Sequence, residues 1–273
     1  MRLWWIAVFA SVVATGSADI FRPSKADQVK LGLQASEQIR KKEKVLPDSD
    51  IRVKTLRRLG EAVLRTFVDK DVPWKYTFDV VESKEVNAFA LPGGPTFFYT
   101  GLLDRMATED ELIGVLGHEL THVRKEHWAR GYGEQQKRQL GLALLLGLTK
   151  ANDQAAQAAV LADGLLFTLP FSRRYEYEAD EGGYTMMTKA GYNPKGLTTT
   201  FEMLAKASGG GKPPEWLSTH PADTGRIKRI QQRIDRESLR LPDLRPLPFD
   251  TAAKREQKTG VIGLVFRDLI TAR

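Results

Sequence analysis

The chain has 273 residues, 42% apolar and 27% charged, with 23 glycines and 13 prolines. That is enough apolar material for one sizeable core, and it excludes a collagen-like or wholly disordered chain. The absence of cysteine removes disulfides, thiolate metal ligands, cysteine nucleophiles and cysteine lipidation together. Lys and Arg outnumber Asp and Glu by 41 to 34, a formal charge of +7. This surplus leans toward acidic partners or peripheral contact with a membrane surface. No dense basic run accompanies it, so plain solubility is its expected role, and nucleic acid is not an expected partner.

In chain order, Met1-Arg2, the apolar run Leu3 to Val13 and the small residues Gly16-Ser17-Ala18 have the layout of a signal peptide. Cleavage is expected after Ala18, and the apolar run is shorter than the ~20 residues of a membrane-spanning helix. The alternative is an uncleaved anchor or a buried N-terminal helix. An exported chain without cysteine fits a bacterial periplasm or cell envelope better than a disulfide-favouring secretory route.

Ser24 to Lys44 reads as a helix capped by Ser24, with Val29, Leu33 and Ile39 on its apolar side. Its end, Arg40-Lys41-Lys42, suits the negative pole of the helix dipole. A second helix is expected over Asp50 to Val68, with Val53, Leu56, Leu59, Val63 and Phe67 at helical spacing. Tyr76 to Val81 and Phe97 to Thr100 are rich in aromatic and β-branched residues and predict strands. Between them Asn87 to Gly94 is an extended stretch ending in a turn.

From Thr108 the pattern is mostly helical. Thr108 with Glu111 forms a capping pattern ahead of Leu112, Val115, Leu116, Leu120 and Val123. Leu140 to Leu148 and Ala155 to Phe171 are apolar but short, and predict a helical hairpin or a flap over a cleft. Gly209 to Pro214 is a loop, and the tail from Leu241 carries prolines and then the apolar group Val261 to Phe266.

His118-Glu119-Leu120-Thr121-His122 is the sharpest chemical signal. Histidines four apart on a helix project from one face, so both imidazoles can reach one metal ion. Glu119 beside them is placed to act as general base toward water. Nitrogen donors without thiolates favour zinc, one ion per chain. A hydrolytic zinc takes three protein ligands and keeps one position open. His127 lies five residues after His122. On a continuous helix it faces about 140° away, so a packed or surface role is expected for it. Farther on, Glu176 and Asp180 share a helical face that Glu178 does not. Glu176 is a candidate third ligand, and Asp180 a candidate acceptor for the second N–H of a ligand histidine. The competing account is an ordinary acidic helix start.

The sequence resembles the HtpX and CaaX-prenyl-protease type of zinc metallopeptidase, particularly its soluble bacterial envelope branch. The resemblance rests on Asn87-Ala88-Phe89-Ala90, on His118 to His122, on Ser172-Arg173 followed by Glu176 and Ala179-Asp180, and on His220-Pro221 followed by Arg226. It runs from about Ser24 to Arg233. It implies a zincin-like α+β fold, predominantly helical, with a small β-sheet beside the active-site cleft. It also implies endopeptidase activity with Glu176 as third zinc ligand. Asn87, Ala88 and Phe89 then belong to a strand that binds extended substrate by backbone pairing. His220 is expected near the metal, stabilising the oxyanion or controlling access. Spans of the membrane relatives, a helical-repeat domain and a lipid anchor are not expected here.

The resulting organisation is a signal peptide over 1–18, a metallopeptidase domain over 19–240 and a tail over 241–273. The expected activity is hydrolysis of peptide bonds in unfolded or misassembled envelope proteins. Two rivals share most of these features. One is a chaperone-like binding protein with a structural zinc, and the other is a latent protease covered by residues 140–171.

Overall fold

The computed structural model describes residues 20–67, 73–145, 171–207, 214–221, 224–238, 240–252 and 254, with side chains of the long helix ending at 145 described to residue 138. The expected signal peptide, residues 146–170 of the expected hairpin or flap, most of the 209–214 loop and the apolar group 261–266 lie outside them.

Helix α1 (Lys25–Lys42) starts where Ser24 Oγ accepts the Asp27 N–H at 3.1 Å. Its buried stripe, however, is Gln28, Gly32 and Ser36, while Leu33 is 38% exposed. Of the expected apolar side, Ile39 packs against the sheet and Val29 is half-buried, so only Leu33 turns away from the contact. The reason is closeness: a Cβ on Gly32 would sit 1.8 Å from the Pro92 carbonyl oxygen, so only a small residue fits at the crossing. Arg40 reaches Asp79 from the last turn, with Nη2–Oδ2 at 2.6 Å. Helix α2 (Ile51–Leu64) is capped by Asp50 and buries Val53, Leu56, Leu59 and Val63 as its spacing predicts.

Three strands follow, β1 (Thr77–Val81), β2 (Ala88–Ala90) and β3 (Pro95–Tyr99), in the spatial order β1-β3-β2. Strand β1 is parallel to β3, and β2 is antiparallel to it, pairing Ala88 with Phe98 and Ala90 with Thr96. Alternation divides the sheet's faces. Phe78, Val80, Ala88 and Phe98 join the main core, whereas Val81, Leu91, Phe97 and Tyr99 form a second cluster with Ala35 and Ile39 of α1. The sheet is thus covered by α1 on one side and by the helical body on the other. Gly93 (φ 83°) and Gly94 (φ 124°) make the turn between β2 and β3, backbone angles that side chains disfavour.

After the short α3 (Thr100–Leu103), the central helix α4 (Glu109–Arg124) opens on the expected capping box. Thr108 Oγ1 accepts the Glu111 N–H at 3.2 Å, and Glu111 Oε2 accepts the Thr108 N–H at 3.0 Å. From Leu112 to Val123 every residue of α4 is buried. Helix α5 (His127–Leu145) and helix α6 (Arg173–Lys189) follow, the latter capped by Ser172. Helices α4 and α6 cross at glycines. A Cβ on Gly182 would meet Thr121 Oγ1 at 2.2 Å, and one on Gly183 would meet the His118 nitrogen at 3.0 Å.

Helices α7 (Lys195–Ala207), α8 (Glu215–Thr219) and α9 (Thr224–Glu237) complete the body. Beyond them the chain returns to the start of α4. The Arg245 N–H donates to buried Asp110 at 2.6 Å, and Leu247 is buried in the main core. The architecture is the predominantly helical, zincin-like α+β fold with a small sheet. Among the described residues no helix is long and apolar enough to cross a membrane.

Candidate metal centre

The single helix α4 supplies His118, Glu119 and His122, all buried. The two histidines lie one turn apart, and their Nε2 atoms face each other at 3.0 Å. Helix α6, held close by its glycines, brings Glu176 against both. Glu176 Oε2 is 3.5 Å from His118 Nε2, and Oε1 is 3.5 Å from His122 Nε2. His220, at the end of α8, completes the group. Its Nδ1 lies 3.1 Å from Glu176 Oε1 and 3.2 Å from His118 Nε2. One donor atom from each of His118, His122, Glu176 and His220 falls within 4.8 Å of all the others.

These donors fit a cation. Three imidazole nitrogens meet at hydrogen-bond distance, and each contact between two of them has room for one proton only. Glu176 Oε2 is buried and accepts no hydrogen bond, although Arg226 Nη1 lies 2.8 Å away, out of line for one. Burial, then the neighbouring His118, His220 and His127, push His122 well below the usual histidine range, so it stays a neutral donor. Burial pushes Glu176 up, but His220, His118 and Arg226 outweigh it and keep the carboxylate ionised. Burial pushes His220 down, yet Glu119 and Glu176 more than reverse it.

The supporting groups are as well defined. Asp180 Oδ1 is 2.9 Å from His118 Nδ1, which orients that imidazole with Nε2 toward the cluster. Arg226, only 1% exposed, grips Asp180 through Nε–Oδ2 at 2.8 Å and Nη2–Oδ1 at 2.7 Å. Burial pushes Asp180 up, but Arg226 and His118 hold it below the usual range. Phe171 stacks on the His122 ring at 4.0 Å and shields it.

Glu119 stands between the cluster and the sheet. Its Oε1 accepts the Trp216 indole N–H at 3.0 Å, and its Oε2 accepts the Ala90 N–H at 3.2 Å. Strand β2 is therefore the edge beside the site. Asn87 O and the Leu91 N–H bond to β3, so the peptide groups of Ala88 and Ala90 turn to the open edge. Of the three residues expected to meet substrate, only Ala88 presents its backbone outward. Asn87 spends its carbonyl on Tyr99, and the Phe89 ring packs on Phe97 and Tyr99.

Sequence spacing missed Trp216 altogether, since nothing in the pattern marks one indole among five. It noticed Arg226 only as a landmark. His127 is packed, as expected, but does not face away: its Nδ1 lies 2.9 Å from His122 Nδ1. The helix breaks between them at Glu126, whose φ is 54°.

The family model for peptidase family M48 matches residues 51–234, a span that contains the whole cluster. The chain belongs to that family. Over 225 residues this M48 chain is 30% identical to the metalloprotease LoiP of Escherichia coli K12, covering 78% of this chain and 83% of LoiP. It is 33% identical over 192 residues to the mitochondrial metalloendopeptidase OMA1 of Arabidopsis thaliana, covering 70% of this chain and 38% of OMA1. A third relative is the putative beta-barrel assembly-enhancing protease of Vibrio cholerae, 31% identical over 193 residues, with 64% of this chain and 40% of that protein covered. The chain thus spans most of LoiP and about two fifths of the other two. This M48 chain is a metalloendopeptidase, and its buried histidine–glutamate cluster can hold the metal.

Proposed function

We propose that the protein is a zinc endopeptidase of the bacterial envelope that cleaves unfolded or misassembled proteins. One observation carries the reading: four nitrogen or oxygen donors without a thiolate converge beside a buried glutamate that also touches the open edge strand. Nitrogen and carboxylate donors of this kind suit zinc. When bound, zinc supplies Lewis-acid polarisation of the scissile carbonyl and of the attacking water.

His118, His122 and Glu176 hold the ion in this reading, and Asp180 keeps the His118 imidazole in place. An extended substrate pairs with the outward peptide groups of β2, which demands little of its sequence. Glu119 accepts the proton of the attacking water and passes it to the leaving amine. Trp216 and the Ala90 N–H hold the carboxylate in reach of that step. His220 contributes a fourth donor, and a hydrolytic site needs an open position. In this reading His220 is not a permanent ligand, and it controls access to that open position. Several of the relatives are named for enhancing beta-barrel assembly, which supports envelope proteins as the substrate class. The signal-peptide layout of residues 1–18 supports export, and a mature terminus near Asp19 in mass spectra of the native protein tests it.

The deciding experiment is Glu119→Gln. Glutamine keeps the shape and still accepts the Trp216 bond, but takes no proton at neutral pH. Zinc content should equal that of the wild type while cleavage of an unfolded protein falls ~10²–10⁴-fold. Equal cleavage by both forms removes Glu119 from the mechanism. Full zinc and substrate binding with no cleavage by either form points to a binding protein.

A further inference from the structure

Helix α4 ends at Arg124, and Glu126 then takes a left-handed backbone angle that few residues other than glycine adopt. Its carboxylate is held from the other side by the first turn of α1 and the segment before it. Gln28 Nε2 donates to Oε2 at 2.8 Å, and Arg22 Nη2 lies 3.0 Å from Oε1. This turn swings His127, the first residue of α5, back onto His122. His127 is fully buried, its ring stacked on Tyr175 with centroids 4.6 Å apart and planes 11° from parallel. Its Nδ1 lies 2.9 Å from His122 Nδ1, and its Nε2 lies 3.2 Å from Glu178 Oε2. Glu178 also accepts from Arg130 Nη1 at 3.1 Å and from Arg174 Nε at 3.0 Å.

We propose that His127 is a positioning residue that orients the metal ligand His122 and links it to Glu178. The inference rests on the reading of His122 as a ligand, and the proton count follows from that. A ligand imidazole offers its Nε2 lone pair to the ion, so its proton sits on Nδ1. The His122 Nδ1–H then donates to His127 Nδ1, which must be an acceptor. The His127 proton is left on Nε2, where it donates to Glu178. Both ligand histidines therefore end on a carboxylate anchored by arginine. His118 reaches Asp180 and Arg226 directly, and His122 reaches Glu178 and Arg130 through one intervening imidazole. Such partners fix ring orientation and raise the basicity of the ligand nitrogen.

The test compares His127→Phe with His127→Gln by chelator-competition titration of zinc. Phenylalanine keeps the buried ring on Tyr175 without either hydrogen bond, whereas glutamine can accept from His122 and donate to Glu178. His127→Phe should bind zinc about ten- to a hundredfold more weakly, and His127→Gln should recover most of that loss. Wild-type affinity in His127→Phe, or equal losses in both variants, overturns the proposal. A His122→Ala control separates the two readings. If it binds zinc like the wild type, His122 is no ligand; if only it loses zinc, the ligand reading stands and the relay falls. Should His127→Phe fail to fold, nitrogen-15 imidazole spectra of the wild type decide. They should show His127 protonated at Nε2 alone, and a proton on its Nδ1 overturns the proposal.

Discussion

The indole N–H of Trp216 donates to Glu119 Oε1 at 3.0 Å while the same ring stacks on His220, centroids 4.8 Å apart. One buried side chain thus holds the proposed general base and backs the fourth donor of the cluster. Its N–H is the only polar group of tryptophan, so this bond is also what makes its full burial tolerable. Trp216→Phe keeps an aromatic surface for His220 but leaves Glu119 one donor short. Cleavage should fall by about ten- to a hundredfold, the size of a net hydrogen bond to a charged group, with zinc content unchanged. Paired measurement of kcat and bound zinc checks this. A parallel loss of zinc would show that Trp216 supports the ligands instead.

Glu176 and Glu178 lie two residues apart and do different work. Glu176 faces the donor cluster, whereas Glu178 ends the bonds from His127, Arg130 and Arg174. Glu176→Ala should abolish stoichiometric zinc. Glu178→Ala should weaken affinity by no more than about tenfold, since it removes an outer partner and not a donor. Metal analysis after equilibrium dialysis distinguishes them. Small, equal effects would strip Glu176 of its assignment.

Arg226 is nearly inaccessible and faces two buried carboxylates, Asp180 and Glu176. Arg226→Leu fills part of its space but leaves Asp180 without its main counter-charge. Removing one partner of a buried pair costs about 3–5 kcal/mol, so the urea midpoint should drop sharply. Both carboxylates should also protonate more readily, which makes zinc binding fail at a higher pH than in the wild type. Denaturation curves and a pH series of zinc affinity measure the two effects separately.

The zinc-free protein should lose stability on acidification in two windows. Burial pushes His127 down to about 4, although its bond to Glu178 works the other way. Between pH 6.5 and about 4 the unfolded chain takes up a proton there that the folded chain refuses, so stability falls as pH falls. The full contribution is present above 6.5 and the loss is on the order of 3 kcal/mol at the lower limit. Burial pushes Glu178 up, but Arg130, His127 and Arg174 hold it down at about 2. Its part is present above 4.5 and disappears toward pH 2. Urea midpoints across this range should therefore decline in two stages, and His127→Phe should shrink the first without abolishing it, because buried His122 is also pushed down and contributes there. An unchanged first stage in that variant would remove His127 as its source.

Much of the site was legible because it is local. His118, Glu119 and His122 sit on one helix whose cap is written in Thr108 and Glu111, and helical geometry alone puts the two imidazoles together. The same holds for Val53, Leu56, Leu59 and Val63 of α2, whose spacing names their buried face. The strand character of β1 and β3 was equally plain from their aromatic and β-branched residues.

Where a backbone approaches closely or a helix breaks, spacing was not enough. Helix α1 turns Gln28, Gly32 and Ser36 inward beside Ile39, because the Pro92 carbonyl leaves no room for a Cβ at Gly32, and Leu33 of the expected stripe is left exposed. His127 rejoins His122 because Gln28 and Arg22, about a hundred residues upstream, brace the left-handed Glu126. Trp216 and Arg226 meet Glu119 and Asp180 only after α8 and α9 fold across α4 and α6. Periodicity reports which residues of one element share a face. Which residues of different elements touch is decided by how near the backbones can come, and here the glycines of α1 and α6 set that distance.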